Sequence, residues 1–179
     1  MKPFLTCEDS FKYQFELLGK VHYIFTSPPF FNEHNLTPLG QDKRSYFLGL
    51  CHFMDALHKT VRAKITIFHV ARNGFCRIRG EKMDFFDFPI SGLAHEPQSA
   101  WRHIPESDIY AMLSRFIGPI KPGQKLLDPF CGTGTILKVA EIRGLSCYGL
   151  DKSESELVLA SQRLNVNFLK HPVLDAACL

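Results

Sequence analysis

The segment Asp128-Pro129-Phe130-Cys131-Gly132-Thr133-Gly134-Thr135 constrains this chain more than any other. Lys125-Leu126-Leu127 before it reads as a strand ending at Asp128, and Thr135 to Arg143 after it reads as a helix closed by Gly144. Glycines at such a junction let the backbone turn tightly and lie against a ligand, while the helix N-terminus leaves amide N–H groups unpaired. Leu145 to Leu150 forms the next strand and delivers Asp151, whose carboxylate can accept hydrogen bonds from both ribose hydroxyls of a nucleoside. Strand, glycine turn, helix, strand and acid in this order predict a Rossmann-like unit for a nucleoside-containing ligand. Leu137 stands where a G-x-G-x-x-G fingerprint needs its third glycine, which argues against a dinucleotide. No G-x-x-x-x-G-K-S/T is present, which argues against a nucleoside triphosphate.

The rest of the chain alternates short β-like runs with helical stretches, the pattern of an α/β fold with a mostly parallel sheet. Pro3 to Cys7 reads as a strand, and Ser10 to Leu18 as a short helix presenting Phe11, Phe15 and Leu18 before Gly19 stops it. Val21 to Phe25 is a strand rich in β-branched and aromatic residues. Phe31 to Asp42 reads as a loop, Lys43 to Thr60 as a helix with Phe47, Leu50, Phe53, Met54 and Leu57 at core spacing, and Ala63 to Val70 as a buried strand. Asn73-Gly74 marks a turn into a hairpin over Phe75 to Phe88, bent near Gly80. Ile90 to Glu106 reads as loop. Ser107 is the expected cap of a helix running to Ile117, and Ser153 to Leu164 the last helix; the tail beyond it carries no clear pattern. A single domain is expected, with a first half over 1–70, a hairpin and loop region over 71–106, and a second half over 107–179.

A second motif closes the strand before the loop: Thr26-Ser27-Pro28-Pro29-Phe30. Two prolines forbid further strand or helix and hold the Pro28 carbonyl rigidly. An aromatic amine is a poor nucleophile because its lone pair is delocalised into the ring. Acceptors placed at its hydrogens bias the nitrogen toward tetrahedral geometry, and the Ser27 hydroxyl and the Pro28 carbonyl can both accept. Phe30 can stack on a base swung out of its helix.

Other chemistries find less support. The six cysteines are scattered with no C-x-x-C, and the eight histidines lack ligand spacing, so neither a metal site nor a disulfide framework is expected. No apolar run approaches the roughly 20 residues a bilayer span needs, so no membrane partner is expected. Met1 to Thr6 shows no long apolar core or cleavage site, so no signal peptide is expected and the cytoplasm is the expected location. Net charge is +3, with Lys59, Arg62, Lys64, Arg72, Arg77, Arg79 and Lys82 falling in one stretch. That stretch reads as a solvated surface or, more sharply, as a phosphate-contacting face.

Together the two motifs resemble the amino-methylating DNA methyltransferases, which make N4-methylcytosine or N6-methyladenine. The S-P-P-Y/F form is similar to the cytosine-N4 branch; the adenine branch usually has Asp or Asn where Ser27 stands. Asp128 to Leu164 is similar to that family's cofactor-binding unit nearly throughout, including Tyr148-Gly149-Leu150-Asp151 and Ala160-Ser161-Gln162-Arg163-Leu164. The catalytic motif precedes the glycine loop, an order that resembles the circularly permuted group called class beta.

The resemblance implies S-adenosylmethionine as cofactor, Ser27, Pro28, Pro29 and Phe30 as catalytic residues, and Thr26, the Asp128–Thr135 loop and Asp151 as cofactor-binding residues. It implies that Asp9, after an upstream strand, contacts the cofactor adenine, and that His103 to Phe116 cradles its methionine part. Transfer is direct, with inversion, so Cys131 is expected to be a packing residue rather than a nucleophile. Nucleic acid is the implied partner, DNA favoured. A similar glycine loop in RNA guanine-N2 methyltransferases keeps an RNA substrate as the alternative, although no N/D-P-P motif follows Thr135 here. The family's target-recognition region has no counterpart of usual length between the two halves. Trp101-Arg102-His103 lies in that interval, with Trp101 expected as a half-buried aromatic. Base selection is therefore expected from a dimer, a separate specificity partner or RNA shape, and a non-catalytic nucleic-acid-binding subunit stays open.

Overall fold

A computed structural model describes residues 3–29, 39, 40, 42–70, 74–91 and 104–170. Eight strands run β1 (Phe4–Cys7), β2 (Tyr23–Thr26), β3 (Ile65–His69), β4 (Gly74–Arg79), β5 (Lys82–Asp87), β6 (Lys125–Asp128), β7 (Ser146–Asp151) and β8 (Phe168–Lys170). Four α-helices join them: α1 (Lys43–Thr60), α2 (Glu106–Ile117), α3 (Thr135–Ile142) and α4 (Glu154–Leu164). All eight strands form one sheet in the order β5-β4-β3-β2-β6-β7-β1-β8. The strands from β3 to β8 in that order pair in parallel, and only the β3-β4-β5 meander is antiparallel. The fold is the mostly parallel α/β sheet that alternating strands and helices predict.

Period-two alternation explains the layers. On β2, Tyr23 and Phe25 join the core under α2, α3 and α4, while Ile24 joins the core under α1 on the other face. All four β2 residues are buried, as a central parallel strand covered on both faces requires. α1 starts at a capping box: the Asp42 carboxylate accepts from Ser45 N at 3.0 Å and Asp42 N donates back to Ser45 Oγ at 3.2 Å. Its buried stripe is Tyr46, Leu50, Cys51, Met54, Leu57 and His58. Phe47 and Phe53, expected in that stripe, are half-buried: Phe47 meets Phe85 of the hairpin and Phe53 meets Phe11.

Two expectations fail locally, and the tail adds a strand that the sequence pattern did not indicate. Ser10 to Leu18 is a turn followed by one 3-10 turn over Phe15–Leu18, not a helix. Ser10 Oγ donates to the Pro129 carbonyl and Phe11 N donates to Asp9 Oδ1, and such side-chain bonds compete with helical ones. Ser107 does not cap α2, whose cap position is Pro105; Asp108 is turned instead onto Ser91, accepting from its N and Oγ at 2.6 Å each. The tail contains a strand: Asn165 closes α4 in the left-handed conformation and β8 then pairs in parallel with β1. No helix among the described residues is long and apolar enough to cross a membrane.

Gly149 lets α3 and β1 approach β7. A Cβ there would strike Leu137 Cδ1 and stand 2.8 Å from Leu5 Cδ2 and 3.0 Å from Cys131 Sγ. Gly149→Ala should therefore lower unfolding free energy by about 1–3 kcal/mol through overpacking, read as a shifted midpoint in urea denaturation; an unchanged midpoint contradicts this packing.

Candidate active site

Four adjacent parallel strands, β2, β6, β7 and β1, end on the same edge of the sheet, where open α/β sheets hold ligands. Their ends carry Ser27-Pro28-Pro29, the glycine loop, Asp151 and Asp9. A cavity of about 570 Å³ opens between them. Asp9, Ser27, Pro29, Asp128 to Thr133, Thr135 and Asp151 all line it. Thr26, Pro28 and Gly134 lie behind this surface: Thr26 and Pro28 are buried, and Gly134 holds the left-handed N-cap of α3 at φ 76°. Phe30, Trp101, Arg102 and His103 lie outside the described residues, as does most of the segment from Phe31 to Asp42.

The glycine loop is held from several sides. Cys131 N donates to the Leu150 carbonyl at 2.8 Å, and Gly132 N donates to Asp151 Oδ2 at 2.9 Å. Asp151 Oδ1 accepts from Ser153 N at 2.9 Å, so each Asp151 oxygen is fixed by one backbone N–H and keeps a lone pair for a ligand. Arg163 of α4 reaches back to donate to Thr135 Oγ1. Phe130 packs with Phe11 and Phe53 at ring separations of 5.5 and 5.9 Å. Cys131 is 6% exposed and burial pushes its thiol well above the ordinary range, so it holds no thiolate for attack.

Asp128 couples the two motifs. It is 1% exposed, and its Oδ1 accepts from Thr26 Oγ1 at 2.6 Å and from Phe130 N at 3.2 Å. Burial outweighs these hydrogen bonds and pushes its carboxyl up to about 7, with a smaller push from the Asp151 charge. Ser27 follows Thr26 directly, and its Oγ lies 3.2 Å from His69 Nδ1 at the end of β3. His69 is 4% exposed and stacked on Phe75, with ring centroids 4.6 Å apart. The Tyr46 hydroxyl of α1 donates to the Pro29 carbonyl, fixing the proline turn from the other side.

Sequence reasoning missed His69, Tyr46, Ser10 and Glu156. His69 ends a strand next to the one carrying Ser27, a signal readable only once the strand order is known. Ile104 and Ile109, from the stretch read as a methionine cradle, add apolar wall to the cavity. Among the described residues no group of three or more His, Cys, Asp or Glu is placed to hold a metal ion.

No protein-family model matches the chain, and no curated protein matches it. Solved structures do match. The crystal structure of an M1.HpyAVI-SAM complex superposes with a TM-score of 0.56 at 15% identity, covering 91% of this chain and 99% of that one. TTHA0409, a putative DNA modification methylase from Thermus thermophilus, gives 0.57 at 16% identity over 94% of this chain and 100% of its own. The PvuII DNA methyltransferase (cytosine-N4-specific) gives 0.50 at 12% identity over 94% of this chain and 97% of its own. At these identities the likeness establishes a shared fold.

The raised Asp128 pKa has a definite sign for stability. Below about pH 4 the carboxyl is protonated whether the chain is folded or not. Between there and about 7 the folded protein keeps a proton that the unfolded chain releases, so stability is lost as pH rises through that window, by at most about 1.4 kcal/mol per pH unit. Thermal melts from about pH 5 to about pH 8 should show this decline, and Asp128→Asn should flatten it. An equal decline in the variant contradicts the assignment.

Proposed function

We propose that this chain transfers the methyl group of S-adenosylmethionine to the exocyclic N4 of cytosine in DNA, as a Rossmann-like methyltransferase in permuted motif order. The observation that carries the reading is that one cavity is walled by the glycine loop and Asp151 on one side and by Ser27 and Pro29 of the proline turn on the other. The fit to the cofactor is tested by the site itself. Gly132 leaves open space above the loop, Asp151 offers two oriented acceptors, and a Glu156 oxygen in the wall is buried without a partner among the described residues. The names of the neighbours, an M1.HpyAVI-SAM complex and a cytosine-N4-specific DNA methyltransferase, support the same cofactor and substrate class. Ser27, where the adenine-specific branch has Asp or Asn, supports cytosine.

When bound, S-adenosylmethionine supplies an electrophilic methyl group on a sulfonium sulfur. Asp151 and the loop backbone orient it, and Ile104 and Ile109 help exclude water. The Ser27 hydroxyl and the Pro28 carbonyl accept the two amino hydrogens of the base, drawing the nitrogen lone pair out of conjugation. With His69 neutral and its proton on Nε2, Nδ1 accepts from Ser27 Oγ across the 3.2 Å contact. The proton that the nitrogen sheds as its new N–C bond forms then passes through the Ser27 hydroxyl to His69. Within the interval 71–106, Gly74–Arg79 and Lys82–Asp87 are built into the sheet as β4 and β5, and we assign target selection to a second copy or a separate specificity partner.

Ser27→Ala should lower methyl transfer by roughly a hundredfold or more while leaving calorimetric binding of S-adenosylmethionine unchanged. Pro28→Ala should act in the same direction. Nucleoside mass spectrometry after incubation with labelled cofactor and either duplex DNA or total RNA reads base and sugar together. Full activity in Ser27→Ala contradicts the site, and label confined to ribonucleosides contradicts DNA.

A further inference from the structure

We infer that Glu156 is a second carboxylate acceptor for the ligand, taking a hydrogen bond from a ribose hydroxyl of the nucleoside held between Asp151 and the glycine loop. The inference rests on the cofactor reading above and adds a specificity-determining residue to it.

Ser153-Glu154-Ser155-Glu156 has the sequence of a capping box, in which the serine caps the helix and the glutamate reaches back to the cap residue's N–H. Half of that box forms: Glu156 N donates to Ser153 Oγ at 3.4 Å. The other half is pre-empted, because Ser153 N donates to Asp151 Oδ1 at 2.9 Å. The Glu156 side chain is thereby freed from the helix end and enters the cavity wall. Its Oε2 is buried and has no hydrogen-bond partner among the described residues. A buried carboxylate oxygen left unpaired is costly, so such a group marks a missing partner.

The surroundings say what the partner is. A Cβ placed on Gly132 would meet nothing within 4 Å except this Glu156 Oε2, at 3.9 Å, so the space between loop and carboxylate is open. The Gly132 N–H already serves Asp151, which removes that donor from any anion, and two carboxylates repel phosphate. No third His, Cys, Asp or Glu among the described residues completes a cation site with them. With phosphate and metal ions excluded, the hydroxyls of a nucleoside fit, and a vicinal diol offers one O–H to Asp151 and one to Glu156.

Calorimetry with S-adenosylhomocysteine and its 2′-deoxy and 3′-deoxy analogues tests this on the full chain and on Glu156→Gln and Glu156→Ala. Glu156→Ala should weaken S-adenosylhomocysteine by roughly ten- to a hundredfold, with Glu156→Gln between it and the wild type. One of the two deoxy analogues should bind all three proteins alike. The unliganded Glu156→Gln protein should melt no lower than the wild type, because no native hydrogen bond of the carboxylate is lost. An unchanged Kd, an equal loss with all three ligands, or a lowered Tm of the unliganded Glu156→Gln protein overturns the role of Glu156 alone. Failure of the wild type to bind S-adenosylhomocysteine overturns the cofactor reading and this inference with it.

Discussion

The two halves of the chain meet where β2 lies beside β6, and the hydrogen bond from Thr26 Oγ1 to Asp128 Oδ1 closes the end of that seam. It is a buried contact between the last residue of one strand and the last residue of the next. Both motifs follow immediately after one of those two residues: Ser27-Pro28-Pro29 after Thr26, the glycine loop after Asp128. The bond therefore sets the distance between the two motifs, and does so with a carboxyl whose own ionisation is opposed by burial. Arg163, Ser10 and the Phe11–Phe53–Phe130 cluster brace the loop on its other sides.

The parts of this architecture readable in the sequence are those where a local signal and a tertiary demand coincide. Lys43–Thr60 is a helix because its apolar spacing, its Asp42 cap and its packing on the sheet agree. The stretch from Asp128 to Leu164 is legible because strand, glycine turn, helix, strand and acid each leave a local mark. Ser10 to Leu18 had helical spacing, yet the contacts that decide it are with Pro129 and Phe53, far away in sequence. β8 is three residues long and exists because β1 has a free edge to offer. His69 carries no motif and is defined by the strand beside it, while Glu156 carries a capping-box signature whose second bond Asp151 takes first.

The cavity is unusual in its charge. Asp9, Asp151 and Glu156 line it beside the less readily ionised Asp128, and among the described residues Lys152 is the only basic one in its lining. A polyanion gains nothing from such a floor, whereas a sulfonium and an ammonium group do. The basic residues lie elsewhere: Arg62, Lys64, Arg79 and Lys82 are exposed, while Lys59 and Arg77 are paired with Asp55 and Asp84. Under the proposed function, the acidic pocket and the basic exterior divide labour between cofactor and nucleic acid.

The position of β1 in the sheet bears on how the chain acquires its structure. Phe4 pairs with Tyr148, and Leu5 with Phe168, so the first strand waits for partners that lie almost at the other end of the described chain. Such non-local parallel pairing is slow to form, because loop-closure entropy is spent before the contacts that repay it appear. On a ribosome, β1 is made before β7 and β8 and cannot pair until they follow. Asp9 sits just beyond it, so this wall of the pocket cannot close before β7 is made, and a nascent chain that has completed only β2 and β3 has no ligand site to offer.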